Sequence, residues 1–438
     1  MKHSFFHILG LSALLAISFS CRKSEAEILT PSAQLDYRYP SEQFLSIWNS
    51  MNTGYVMWDL EEKDWGEVKD KYLPEFLSLD DSVKAKCNIS TKHLRQLYKE
   101  ILGDLKDHHS AFIIKNLWTP EGKSEYIQIA PSSYEIKQRD YYHANHIFSY
   151  KMGEALQDKN LADKYGLHSW EDLTMVAWLR RLEAEGRATD INYGSCTGNF
   201  SLTIVSGLID GNIPYLHISD FNLTSLFDAL DNGNPSVDQL ETYRAYESFK
   251  NNVLELDEVK GVIIDLRENG GGYYNDEFYL LGLLIDQPVQ MGWSRNKSGL
   301  GRFDYSPWVP IIFSPGPEHR AIDGPVVIVS DLYSISMSEI SVLMAKAMPN
   351  GCIIGERTYG AHGTLDPDFE SSYSGSFGDR EGNHYGYLST RVVKANNGEI
   401  LESIGVTPDI ELDFTQGNFK NGEDTWLDRS VEYINTGR

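Results

Sequence analysis

The chain has 438 residues, with 63 acidic side chains against 39 basic ones and a formal net charge of −24 at pH 7. The negative charge is spread along the chain, which disfavours nucleic acid as a partner and favours solubility. The length leaves room for two or three modules with sizeable cores.

Met1-Lys2-His3 is followed by an apolar run from Ile8 to Phe19, too short to span a membrane and shaped like a signal-peptide core. It ends in Ser18-Phe19-Ser20-Cys21, which resembles a bacterial lipobox with Cys21 as the lipidated residue. Conventional cleavage nearby is the alternative, as is an incidental cysteine. The reading is a signal peptide over 1–21, a polar tether over 22–40, and a lipoprotein of the bacterial cell envelope. Its membrane contact is the N-terminal lipid, and it faces the periplasm or the cell surface. Cys87, Cys196 and Cys352 remain, an odd set with no close pair. Neither a disulfide framework nor a zinc site is expected from them, although one disulfide stays open.

From Ser41 to about Leu105 apolar residues recur at helical spacing, as in Phe44, Ile47, Trp48 and Met51 and again in Leu94, Leu97, Tyr98, Ile101 and Leu102. A helical module is expected over 41–115, closing on Asp107-His108-His109-Ser110 and the strand-like Ala111-Phe112-Ile113-Ile114. The intermediate segment 116–199 is less clear. Its aromatic clusters, Tyr141-Tyr142-His143 and Phe148-Ser149-Tyr150, read as core packing, and a helix is expected from Trp170 to Glu185. From Phe200 short strands alternate with helices: strands at 202–209 and 213–218, a long helix over 237–256, the apolar strand Gly261-Val262-Ile263-Ile264-Asp265 and a helix over 277–284. Further strands follow at 326–329 and 352–354, with a hairpin at Asn397-Gly398. Residues 200–438 are expected to form an α/β module with a mixed sheet.

Two segments fall at the carboxyl ends of strands, where α/β sheets bind their ligands. In Ser334-Ile335-Ser336-Met337-Ser338-Glu339, a strand runs into a helix start that can present one hydroxyl to a region favouring negative charge. Ser336 is the candidate nucleophile, but with Glu339 three residues on it also fits a capping box. In Asp265-Leu266-Arg267-Glu268-Asn269-Gly270-Gly271-Gly272, the glycines allow close backbone approach. The N–H groups of Met337 and of Gly271 or Gly272 are candidate oxyanion donors, the alternative being that the glycines only make a turn. Arg267 reads as structural.

Together these segments resemble the S41 family of serine peptidases, which includes the C-terminal processing peptidases and the tricorn core protease. The resemblance extends to Gly355-Glu356-Arg357-Thr358-Tyr359-Gly360 and to Gly405-Val406-Thr407-Pro408-Asp409. It implies a mixed-sheet α/β domain of the ClpP/crotonase-like type, Ser336 as nucleophile, no cofactor or metal, and peptides or unfolded protein segments as substrates. The processing peptidases carry a lysine base where this chain has Ala361, and no PDZ module is evident. The tricorn-type branch implies a histidine base instead. By position in Asp107-x-His109-Ser110 that is His109, with His108 and His362 as alternatives and Glu402 as the acid that polarises or orients the site. The rival expectation is a catalytically inactive scaffold of the same family that binds a hydrophobic ligand or a peptide.

Overall fold

The computed structural model describes residues 37–120, 123, 125–131, 148–365, 373–379, 382–412 and 422–438. The signal-like segment, Cys21, most of the tether and the Tyr141–His143 cluster lie outside the described residues. The chain forms two units, one from 1–132, 295–307 and 363–392, the other from 133–294, 308–362 and 393–438.

The second unit is organised by runs of β-branched and other apolar residues. Those in the interior of the sheet are too short for a helix and buried almost throughout, as expected for strands covered on either side. Its strands are β1 (Ala188–Cys196), β2 (Leu202–Ile209), β3 (Ile213–Ile218), β4 (Val262–Asp265), β5 (Val326–Ser330), β6 (Gly351–Gly355) and β7 (Ile410–Glu411). They lie side by side in chain order. The first three pair antiparallel and the rest parallel. Helices α1 (Leu223–Asp231) and α2 (Val237–Glu255) make the crossover from β3 to β4, α3 (Met337–Ala347) makes that from β5 to β6, and α4 (Thr425–Thr436) follows β7. Alternation along the strands separates two cores. Val326 and Ile328 pack with α1, α2 and α3, whereas Val327 and Val329 pack with Trp178, Leu179, Trp426 and Val431.

The first unit holds helices Pro40–Gly54, Trp65–Lys84 and Thr91–Leu102 and a four-stranded antiparallel sheet. In sheet order its strands are Phe377–Gly378, His384–Tyr387, Ala111–Asn116 and Glu125–Ile129. Phe44 stacks on Phe76 at 4.5 Å between ring centroids. The Trp48 and Trp65 indoles each donate to the other's carbonyl, at 2.7 and 3.0 Å.

Several expectations change. Residues 277–284 form two short 3-10 turns, Tyr274–Tyr279 and Leu281–Leu284, because four consecutive buried residues from Leu281 leave no polar face for an amphipathic α-helix. The boundary expected at 199/200 falls inside the sheet, since β1 pairs with β2. Asn397-Gly398 makes its tight turn, with Gly398 at φ 88°, but no second strand returns from it.

Arg267 ties the end of β4 to α4. Its guanidinium lies 2.6 Å from Asp265 and 2.8 Å from Asp424, and 5.6 Å from the Trp426 ring centroid, with all three charged side chains at 1% exposure or less. Burial alone would raise the Asp265 carboxyl, but Arg267, with help from His217, holds it well below the usual carboxylate range. Arg267→Met leaves two buried carboxylates without their cation, so a loss of about 3–5 kcal/mol is expected in urea unfolding. A loss below about 1 kcal/mol would remove this ion pair as a fixed point of the fold.

Candidate functional site

β4 and β5 are parallel neighbours with Asp265 opposite Val329, so the segments that follow them leave the sheet together. Ile335 N–H donates to the Asn269 carbonyl at 2.9 Å, which holds the two segments in step. Ser336 then precedes α3 with φ 61° and ψ −116°, a backbone region that side-chain-bearing residues rarely adopt. Its hydroxyl makes no capping hydrogen bond. Of the expected capping box, the glutamate arm is the one that bonds: the Glu339 carboxylate accepts the Ser336 N–H at 3.2 Å.

The outer serines of the motif are tied to the β4 loop. Ser334 Oγ donates to the Leu266 carbonyl at 2.8 Å and accepts the Asp331 N–H at 3.0 Å. Ser338 Oγ lies 2.6 Å from Asn269 Oδ1, while Asn269 Nδ2 donates to the Ile218 carbonyl at 2.8 Å. Asn269, given no role by the sequence reading, is thus the clasp between β3, the glycine loop and α3.

Gly271 has φ 91°, and a Cβ on it would sit 2.6 Å from the Ser336 Cβ. Only glycine allows both the conformation and the approach. The Gly271 N–H is taken by Asn269 Oδ1 at 2.8 Å, so it is not offered to a ligand. The Gly271 carbonyl accepts the Phe221 N–H at 2.7 Å, and the planar trans peptide therefore turns the Gly272 N–H the other way. At the start of α3, the N–H groups of Ser338, Glu339 and Ile340 bond to the carbonyls of Ile335 and Ser336. Among the described residues, Met337 and Gly272 N–H are left without an internal acceptor.

Glu339 is fully buried. Besides Ser336 N–H it accepts from Thr358 Oγ1 at 2.6 Å, Gly360 N–H at 2.7 Å and Ala361 N–H at 2.6 Å. The next N–H, that of His362, donates to Glu402 Oε2 at 2.9 Å. Glu402 is 4% exposed, in a turn whose Ser403 N–H donates to the Gly360 carbonyl at 2.8 Å. Ser336, Glu339, His362 and Glu402 therefore belong to one hydrogen-bonded framework. The His362 ring is buried with Nε2 3.6 Å from Glu339 Oε1. Burial lowers its pKa below the ordinary histidine value, and the Glu339 charge offsets that only in part.

His108 and His109 belong to the other unit. His109 N–H donates to Asp107 Oδ1 at 3.1 Å, and Ser110 Oγ donates to the Asp107 carbonyl at 2.6 Å. The Asp-x-His-Ser pattern is therefore a turn closed on its own aspartate. Asp107 also accepts from Ser389, at 2.8 Å from both its N–H and its hydroxyl, and its N–H donates to the Tyr55 hydroxyl at 3.0 Å. Burial pushes the Asp107 carboxyl up to about 6, against the hydrogen bonds from Ser389, His109 and Ser110 that lower it. The folded pKa then lies above the unfolded value of about 4, so the stability this group contributes is greatest below about pH 4 and is lost as pH rises to about 6. The unfolding free energy of the wild type minus that of Asp107→Asn is expected to fall between about pH 4 and about pH 7 in urea titrations. A difference that stays constant across that range would mean Asp107 does not titrate there.

Residues 212–412 match the model of peptidase family S41. Tricorn protease of Thermoplasma volcanium is 23% identical over 231 residues, 51% of this chain and 18% of its own length. Tricorn protease of Thermoplasma acidophilum is 21% identical over 226 residues, 51% of this chain and 17% of its own length. The chain thus spans less than a fifth of the curated relatives it matches. Among solved structures, a candidate peptidase of Parabacteroides merdae superposes with a TM-score of 0.56 at 19% identity, covering 90% of this chain and 96% of its own. Mature CPAF gives 0.54 at 13% identity, covering 91% and 98%. The fold is shared with these two structures over nearly their whole length. Ser336 and both glycines lie inside the stretch over which the chain is similar to peptidase family S41.

Proposed function

We propose that this chain is a serine-type endopeptidase acting on peptides or unfolded protein segments through an acyl-enzyme on Ser336. The observation that carries the reading is the central serine. Its two neighbours in the motif are bonded into the scaffold, whereas its own hydroxyl is left out of capping at a backbone with φ 61°. Ser336 Oγ attacks the scissile carbonyl and its proton passes to the His109 imidazole, which then gives it to the leaving amine. Water activated by the same imidazole releases the acyl group. Met337 and Gly272 N–H stabilise the oxyanion, and Glu402 acts as an orienting acid through the loop that ends at His362. The lipobox-like end at Cys21 supports a place in the cell envelope as a lipid-anchored protein.

Labelling with a fluorophosphonate probe tests the chemistry. Ser336→Ala is expected to abolish labelling, and His109→Ala to slow it roughly 10²-fold, the scale of a lost general base. Equal labelling of all forms would remove the Ser336 assignment, and loss in His362→Ala but not His109→Ala would move the base to His362. No labelling of the wild type, together with saturable uptake of an apolar ligand, would favour the inactive binding scaffold. For the anchor, Cys21→Ser is expected to move the protein from the membrane to the soluble fraction; unchanged partition counts against lipidation.

A further inference from the structure

Beyond the glycine loop the chain continues into an exposed aromatic residue, Tyr273, at 56% exposure. Consecutive Cα atoms are about 3.8 Å apart, so Tyr273 Cα lies within about 8 Å of the Gly271 Cα that abuts Ser336. Tyr273 forms one wall of a groove of about 360 Å³. Opposite it, Ser225, Asp228, Ala229 and Asn232 present one face of α1 and its C-terminal cap, at the spacing that places residues on a common helix side. Asn199 and Phe200, from the β1–β2 connection, complete the lining that matters here.

Three properties of this groove point the same way. Asp228 is its one charged side chain, and among the described residues Asn199, Asp228 and Asn232 make no side-chain hydrogen bond or ion pair within the protein. Their oxygens are therefore open to a donor from outside. The lining comes from two stretches that contain no lysine or arginine: residues 188–243, with seven carboxylates, and residues 268–294, with four. No cation competes for Asp228 from within these stretches, and the local field is negative on top of the overall charge of −24. Phe200 and Tyr273 supply aromatic surface against which an alkyl stem or a guanidinium can lie.

We propose that this groove is a substrate subsite for a basic side chain, arginine or lysine, of the bound peptide. Asp228 pairs with the cation, the Asn199 and Asn232 amide oxygens accept its remaining N–H groups, and Phe200 and Tyr273 flank the stem. The proposal rests on the peptidase reading of Ser336 for its meaning as a subsite. It concerns which peptides are chosen and not how the bond is cut.

The experiment uses the full chain carrying Ser336→Ala, so that peptides bind without turnover. The probes are fluorescein-labelled alanine–serine peptides with one arginine walked along the sequence, each paired with a citrulline peptide of the same length, read by fluorescence polarisation. At one register the arginine peptide is expected to bind roughly tenfold tighter than its citrulline partner, and added salt to erode that difference. Adding Asp228→Asn is expected to abolish the preference while leaving the citrulline affinity in place. Equal affinities at every register, absence of binding, or a preference that survives Asp228→Asn would each overturn the proposal. Its failure is separable from failure of the peptidase reading. Ser336-dependent fluorophosphonate labelling of the wild type supports the enzyme with or without this subsite, and an Asp228-dependent arginine preference in a protein that never labels supports a peptide groove without catalysis.

Discussion

One buried carboxylate organises the region around Ser336. Glu339 accepts four hydrogen bonds, three from the Thr358–Ala361 loop at 2.6–2.7 Å and one from the Ser336 N–H at 3.2 Å. A non-glycine residue at positive φ costs of the order of 1–3 kcal/mol and persists only where the surroundings over-determine it. Here the surroundings are Glu339 on one side and Gly271 on the other, the latter so close that any Cβ would collide with the serine. The acceptor and the close approach together fix where the hydroxyl goes. Without Glu339, the N–H groups of Gly360 and Ala361 and the hydroxyl of Thr358 would lose a shared acceptor in a dry setting, where unmet donors are costly.

That arrangement explains why the motifs were readable as sequence. Ser334 and Ser338 are short hydroxyl side chains spaced to reach the Leu266 carbonyl and Asn269, so the pattern records a lacing of two loops around one serine that takes no part in it. Arg267 was legible as structural because an arginine directly after a buried strand must be paired, and it is, with Asp265 and Asp424. The strands of the second unit were legible from runs of apolar residues, since a doubly covered parallel sheet leaves no other pattern.

What escaped the sequence depended on tertiary partners. Asn269 reads as any polar residue until its hydrogen-bond partners are in place. Which glycine offers its N–H depends on peptide orientation: Asn269 Oδ1 takes that of Gly271, and the Phe221 bond turns that of Gly272 outward. The strand over Ala188–Cys196 carries polar residues at intermediate or exposed positions, because it is the edge of its sheet, and alternation there is too weak to mark a domain start. Likewise the carboxylate of Asp107 meets Ser389 across 282 positions of sequence, a pairing no local pattern can announce.

The missing lysine sharpens the choice of base. His362, one residue beyond Ala361, is buried with its ring 3.6 Å from Glu339 Oε1, the same oxygen that holds Thr358 and Gly360. A proton taken up there would draw Glu339 toward the new cation and compete with the bonds that fix the Ser336 backbone. Burial opposes that uptake and lowers the His362 pKa, with the Glu339 charge acting against it. A catalytic base must gain and lose a proton in every turnover without disturbing the scaffold of the nucleophile it serves. The turn around His109 is anchored on Asp107, Ser110 and Ser389, and none of these bonds goes to Glu339.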